Sequence, residues 1–324
     1  MAIVAGIDEA GFGPVLGPLV VSASAFAVPD ELAGSSLWSV LAASVCQKPS
    51  VRAGGKVAIN DSKQLYSGLR GKDGPRHLER GVLSVLAAGQ RLPATLRGLV
   101  AILAPQALRS MDGYPWYAGT DLDLPHCLNA TSVTLSGNAL AADMARAGIS
   151  LAALRAEPVF SGEFNRLVLA SDNKASVLLD VTCRLLMHLW TLAGPRPLTV
   201  AVDRQGGRMY YLPVLQRVFE GCRFKIIEES ETFSAYRITE GEKTAEVCFL
   251  VEAERQHLPV ALASMTSKYL REMCMVLFNR FWAGHLPEIR PTAGYYGDGG
   301  RFYSEIGPAI KRLGLDERMI YRCR

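Results

Sequence analysis

The sequence predicts an α/β fold: a mixed sheet that opens with an antiparallel strand pair, continues through a parallel crossover, and is flanked by helices. Three observations carry this. Ile3 to Ile7 and Leu19 to Phe26 are apolar runs joined by a glycine-rich stretch, the pattern of two buried neighbouring strands. Asp172 to Thr191 repeats apolar residues at 177, 178, 181, 185, 186 and 189, which is helical spacing. Leu198 to Asp203 follows as a buried strand, and a helix returning to a strand in this way makes a parallel crossover.

The 324 residues are enough for a large core, with 49% apolar and 20% charged residues. Composition therefore excludes a disordered tail. No apolar run reaches the length of a membrane span and no basic leader precedes the first strand, so a cytoplasmic protein with no membrane partner is expected. Seven cysteines stand singly without a C-x-x-C, which points to neither a zinc ribbon nor a disulfide framework. The net charge of +4 is unevenly spread. Residues 48–80 hold eight Lys/Arg against three Asp/Glu, and residues 301–324 hold six against three. Basic regions of this kind suit a phosphate backbone or simply a solvated face.

Taken in order, Glu31 to Cys46 predicts an amphipathic helix and Lys48 to Lys56 a loop. Asp61 and Ser62 suit a helix N-cap. His77 to Ala88 reads as a helix, Leu96 to Leu103 as a strand, and Pro105 starts another helix. Residues 112–134 are irregular, with Asp121-x-Asp123 and an aromatic group around Trp116 that suits local packing or base stacking. Ser136 to Arg155 reads as helical, and about 105–165 as an insertion or small subdomain in a single domain spanning 1–324. Arg208 to Glu220 predicts a helix, and Arg223–Glu228, Phe233–Ile238 and Ala245–Val251 three strands, the last two a hairpin with its glutamates facing solvent. Val260 to Trp282 and Ser304 to Leu313 are helices in a C-terminal helical part, 260–324. Glu252 and Glu254 lie just before it, and a more ambitious reading sends one of them to a metal site.

Four stretches carry chemistry. The first strand ends in Asp8 and Glu9, followed by Gly11-Phe12-Gly13-Pro14 and Gly17-Pro18. Neighbouring strand residues face opposite ways, so a backbone bend is expected if both acids serve one site. Asp61-Ser62-Lys63 comes next, Val202-Asp203-Arg204 ends the crossover strand, and Ala263-Ser264-Met265-Thr266-Ser267-Lys268 continues to Arg271-Glu272 on the long helix. Lys268 and Glu272, four apart, also suit a surface salt bridge.

In this order and spacing, G-I-D-E-A-G-x-G-P-x-x-G-P-L-V-V, D-S-K, V-D and A-S-x-x-x-K-x-x-R-E resemble the motifs of type 2 ribonuclease H (ribonuclease HII). Gly294-Tyr295-Tyr296-Gly297 resembles the family's G-Y-G segment. The resemblance implies a ribonuclease H-like fold and places catalytic, metal-binding acids at Asp8, Glu9, Asp203 and Glu272, the last being aspartate in the family. It implies substrate contacts from Gly11, Phe12, Gly13, Lys63 and Lys268, with Tyr295 and Tyr296 both candidates for the family's tyrosine. Oxygen ligands without histidine or cysteine suit Mg²⁺ or Mn²⁺. Two such ions would serve an in-line phosphodiester displacement. The implied reaction is endonucleolytic hydrolysis of RNA in an RNA–DNA hybrid or a ribonucleotide-containing duplex, by a monomer. Phe12 stands where the family has arginine, which bears on selectivity, and Arg204 where it has glycine. Phe12 and the glutamate at 272 leave two alternatives open, a nuclease of the same fold with another nucleic-acid substrate, or a binding protein without catalysis.

Overall fold

In the computed structural model, residues 1–49, 55–66 and 74–323 are described. The basic stretch 48–80 thus falls partly outside the described residues. A seven-stranded mixed sheet organises the chain. In chain order its strands are β1 (Ala2–Ala10), β2 (Leu19–Val28), β5 (Ser150–Val159), β6 (Leu198–Asp203), β7 (Arg223–Glu229), β8 (Phe233–Glu240) and β9 (Lys243–Leu250). The short β3 (Val45–Cys46) and β4 (Val57–Ala58) pair separately. Across the sheet the order is β5-β2-β1-β6-β9-β8-β7.

β1 pairs antiparallel with β2 and parallel with β6, and β6 pairs parallel with β9, so the antiparallel opening and parallel crossover are both present. Both faces of the central strands are covered. Ile3, Ala5 and Ile7 of β1, with Leu19, Val21 and Ala23 of β2, face the core under helix Lys174–Ala193. Val20, Phe26 and Val28 face the opposite core, with helix Leu258–His285. Every residue of β2 is buried, as a strand covered on both faces requires.

Helix Leu258–His285 lies unusually close to the sheet. A Cβ on Gly6 would stand 2.2 Å from Val260 N, so only glycine fits there. Ser24 Oγ donates to Pro259 O at 2.7 Å, and Ser267 Oγ donates to Asp8 O at 3.1 Å. The small residues Ala263, Ser264 and Ser267 are what permit this approach, and their hydroxyls satisfy the groups it buries.

Several local expectations are corrected. Leu96–Leu103 is a helix, not a strand: Leu96, Leu99, Val100 and Leu103 are buried at i, i+3, i+4 and i+7, and Thr95 caps it. Residues 136–155 split into helix Ala130–Arg146 and edge strand β5, because Gly148 at φ +67° stops the helix. The stretch expected as an insertion thus supplies a strand of the main sheet. Its Trp116 is buried edge-on against Phe278, 5.3 Å between centroids, and offers no stacking platform. Residues 31–46 form no continuous helix: a 3-10 turn at Asp30–Leu32, a short helix at Leu37–Val40 and the strand β3 share the stretch. By length and composition helix Lys174–Ala193 does reach span dimensions; its apolar side faces the sheet, whereas Asp180 and Arg184 lie on its exposed side.

Candidate active site

The site forms where β1 and β6 part. Their parallel pairing ends at Ile7↔Val202, so Asp8 and Asp203 are the next residues on adjacent strands. Ligand sites in open α/β sheets form beyond such carboxyl ends. One carboxylate oxygen from each of Asp8, Glu9 and Asp203 lies within 4.8 Å of the others. β1 continues through both acids to Ala10. Asp8 Oδ1 accepts the Glu9 amide at 2.7 Å, which turns the Asp8 carboxyl along the strand towards its neighbour.

Glu254 lines the same cavity as these three, whereas Glu272 does not. Asp203 Oδ1 accepts the Ala253 amide at 3.1 Å, docking the turn that follows β9. Glu252 takes a left-handed conformation in that turn, φ +56°, a strained position for a non-glycine residue. Glu254 follows, buried, and faces the same cavity as the three acids. Its Oε2 has no hydrogen-bond partner. A buried carboxylate oxygen with no donor is costly unless a cation fills the gap.

Electrostatics agree with a site that needs positive charge. Burial, then the neighbouring Glu9 and Asp203 carboxylates, push Asp8 well above the usual range. Burial and Asp203 raise Glu9 to about 7. Burial also raises Asp203, against the opposing effect of the Ala253 amide. Glu254 rises to about 7 through burial and its Asp203 and Asp61 neighbours. For Lys63 burial alone would lower the ammonium's value, but Asp61, Asp8, Glu254 and Asp203 outweigh it and raise it. Three crowded carboxylates, with the unsatisfied Glu254 oxygen on the same cavity, fit a hard divalent cation.

Glu272, expected among the metal-binding acids, is not one of the three that cluster here. It is buried, with Lys268 Nζ at 2.9 Å and Arg271 Nη1 at 3.1 Å, and it accepts from Tyr66 Oη at 2.6 Å. Two cations and a phenol occupy its carboxylate, so it is outside the group of acids. The sequence offered Glu252 or Glu254 for a metal site only as a secondary reading, because the glutamates of the preceding hairpin read as its solvent face.

The cavity has a volume of about 210 Å³ and is lined by the acids, Gly11, Phe12, Gly13, Lys63, Lys268 and Tyr295. Lys268 sits between two aromatic faces, 4.6 Å from the Tyr66 ring centroid and 5.5 Å from that of Tyr295. Tyr295 faces the site, and Tyr296, the first residue of helix Tyr296–Leu313, is not among its lining residues. Gly11 is held at φ +88°, and a Cβ there would stand 2.6 Å from Pro18 O, whereas a Cβ on Gly13 would meet nothing within 4 Å. Phe12 packs partly on the core beneath Lys174, whose Nζ lies 5.2 Å from the ring centroid. Asp61 caps the short helix Ser62–Leu65 by accepting from the Lys63 amide, as its sequence position suggested. A neighbouring cleft of about 500 Å³ continues past Lys63, Arg204, Gly206 and Arg255.

No family model and no curated protein matches this chain. Solved structures do. A chain of the PCNA:RNase HII complex from Archaeoglobus fulgidus matches at 15% identity and TM-score 0.45, covering 99% of this chain and 94% of that one. Ribonuclease H2 from Pyrococcus horikoshii matches at 15% and 0.44, over 98% and 92%. Bst-RNase HIII in complex with Mn²⁺ matches at 14% and 0.44, with this chain spanning 99% of its own length and 66% of that protein. Identities this low carry no residue's role across. Over nearly its whole length the chain is similar, at low identity, to ribonucleases HII and HIII.

Proposed function

We propose that the protein is a divalent-metal-dependent endonuclease that hydrolyses RNA in RNA–DNA hybrids, of the ribonuclease HII type. One observation carries this reading. Asp8, Glu9 and Asp203 bring their oxygens within 4.8 Å of one another at the mouth of a cavity shared with Lys63, Lys268 and the Gly11–Gly13 backbone.

In this reading Asp8, Glu9, Asp203 and Glu254 hold Mg²⁺ or Mn²⁺. When bound, the cations supply positive charge against a phosphodiester and activation of the attacking water. The chain's own groups do the rest. Lys63, kept protonated by the carboxylates around it, meets a phosphate of the scissile strand. Tyr295, half exposed at the rim, packs on a sugar. The Gly11–Gly13 backbone approaches closely enough to sense a 2′-hydroxyl, the group that separates RNA from DNA. With Phe12 in place of arginine, no guanidinium reaches the substrate from this loop.

The test is cleavage of a labelled RNA–DNA hybrid beside a DNA duplex with one ribonucleotide, with Mg²⁺, Mn²⁺ or EDTA. Metal-dependent cutting that disappears in Asp8→Asn is expected. Binding of both substrates without cutting either, in any metal, would sink the proposal.

A further inference from the structure

The C-terminal segment closes back on the glycine loop. Leu16 and Tyr321 form an antiparallel bridge, and the Arg322 amide donates to Val15 O at 2.8 Å. Asn165 locks the segment from the other side: its Nδ2 donates to Arg318 O and Tyr321 O at 2.8 Å, and its Oδ1 accepts the Cys323 amide at 2.7 Å. The Arg322 side chain then runs inward, 1% exposed, with its guanidinium 3.9 Å from the Phe164 ring centroid.

That guanidinium takes two consecutive carbonyls of the loop. Nη1 donates to Gly11 O at 2.5 Å and Nη2 to Phe12 O at 3.2 Å. A trans peptide is planar, with its C=O and N–H antiparallel. Drawing the Gly11 and Phe12 carbonyls inward therefore turns the Phe12 and Gly13 amides the opposite way. Both residues line the cavity that holds the acids. Among the described residues neither amide has an acceptor. Arg322 also forms no ion pair among the described residues. A buried guanidinium whose hydrogen-bond partners are carbonyls, with an aromatic face but no carboxylate beside it among the described residues, is costly. Its positive charge is offset when an anion docks across the two peptides.

We propose that Arg322 is a positioning residue for the nucleic-acid strand, setting the Phe12 and Gly13 amides as paired donors and supplying the charge behind them. This rests on the reading of the site as a nuclease centre. It adds that the C-terminal segment, more than 300 residues away in sequence, completes the substrate side of that centre.

The test compares wild type, Arg322→Ala and Arg322→Lys in three measurements: hybrid cleavage, Mn²⁺ binding, and amide hydrogen exchange. For Arg322→Ala, KM should rise about tenfold or more while kcat and Mn²⁺ affinity change little, as expected for loss of a charged hydrogen-bonding group on the substrate side. Exchange should accelerate at residues 11–13 and not in β1. Added guanidinium ion should lower the KM of Arg322→Ala, and Arg322→Lys, which keeps the charge without the fork, should fall between the two. Wild-type KM in Arg322→Ala, or faster exchange spread over the whole sheet, overturns the proposal. If wild type cuts nothing, the nuclease reading fails separately, and exchange at residues 11–13 still decides whether Arg322 holds the loop.

Discussion

Lys268 Nζ lies 2.9 Å from Glu272 Oε1, one turn along the same helix, and this pair withdraws Glu272 from the acids it was expected to join. Glu254, reached through a strained turn docked on Asp203, stands in the cavity instead. The two glutamates should therefore respond differently to the same substitution. Glu254→Gln is expected to weaken Mn²⁺ binding about tenfold or more while leaving the fold intact. Glu272→Gln should leave Mn²⁺ affinity unchanged and cost about 3 kcal/mol of stability, because Lys268 and Arg271 lose their buried counter-charge. Calorimetric titration with Mn²⁺ beside thermal melts separates them. Equal metal affinity in wild type and Glu254→Gln would return the fourth acid to open question.

Asp8→Asn removes one of several crowded carboxylates. Cleavage should drop by at least about 100-fold, in line with losing an essential group of a metal centre. The metal-free protein should nonetheless melt at a higher temperature than wild type, since repulsion with Glu9 and Asp203 is relieved. A lower melting temperature in EDTA would show that the Asp8 carboxylate is not under such strain.

Metal binding should depend on pH. Glu9 and Glu254 sit at about 7 in the metal-free fold, against an ordinary 4.5. A raised carboxyl contributes stability that is present below about 4.5 and is lost as pH rises through about 7. Cation binding must displace those protons, so Mn²⁺ should stabilise the fold more at pH 8 than at pH 6, by about 1.4 kcal/mol per carboxyl. Thermal shift at both pH values, for wild type and Glu9→Gln, measures it. An equal shift at the two would exclude proton competition.

Gly6→Ala and Gly13→Ala make a steric pair. At Gly6 the added methyl meets the backbone of Pro259 and Val260, which cannot step aside without moving the long helix. A loss of about 3 kcal/mol is expected, at the upper end for overpacking. At Gly13 the methyl meets nothing within 4 Å, so the melting temperature should stay within about 1 °C of wild type. Chemical denaturation of both variants gives the comparison.

Much of this protein was determined by local sequence. Apolar runs covered on both faces gave away β1, β2 and β6, because strands inside a helix-flanked sheet bury most of their residues, and in β2 all of them. Asp8, Glu9 and Asp203 were singled out by the family's motifs, and the fold brings their oxygens within 4.8 Å of one another. The crossover helix announced itself by its spacing. Leu96–Leu103 was misread although its spacing was helical, since eight apolar-rich residues without context look alike in either form.

Tertiary structure alone decided the remainder. Whether Glu254 or Glu272 faces the acids depends on a turn docked on Asp203 and on two arginine and lysine partners, contacts between segments that no local pattern encodes. That Tyr295 and not Tyr296 lines the cavity follows from where the last long helix begins, with Tyr295 capping it and Tyr296 its first residue. The hold of Arg322 on Gly11 and Phe12 joins the two ends of the chain, and only the closed fold brings them together. Burial of charge is the common reason: a side chain's partners are chosen once water is excluded, and the sequence does not show where that happens.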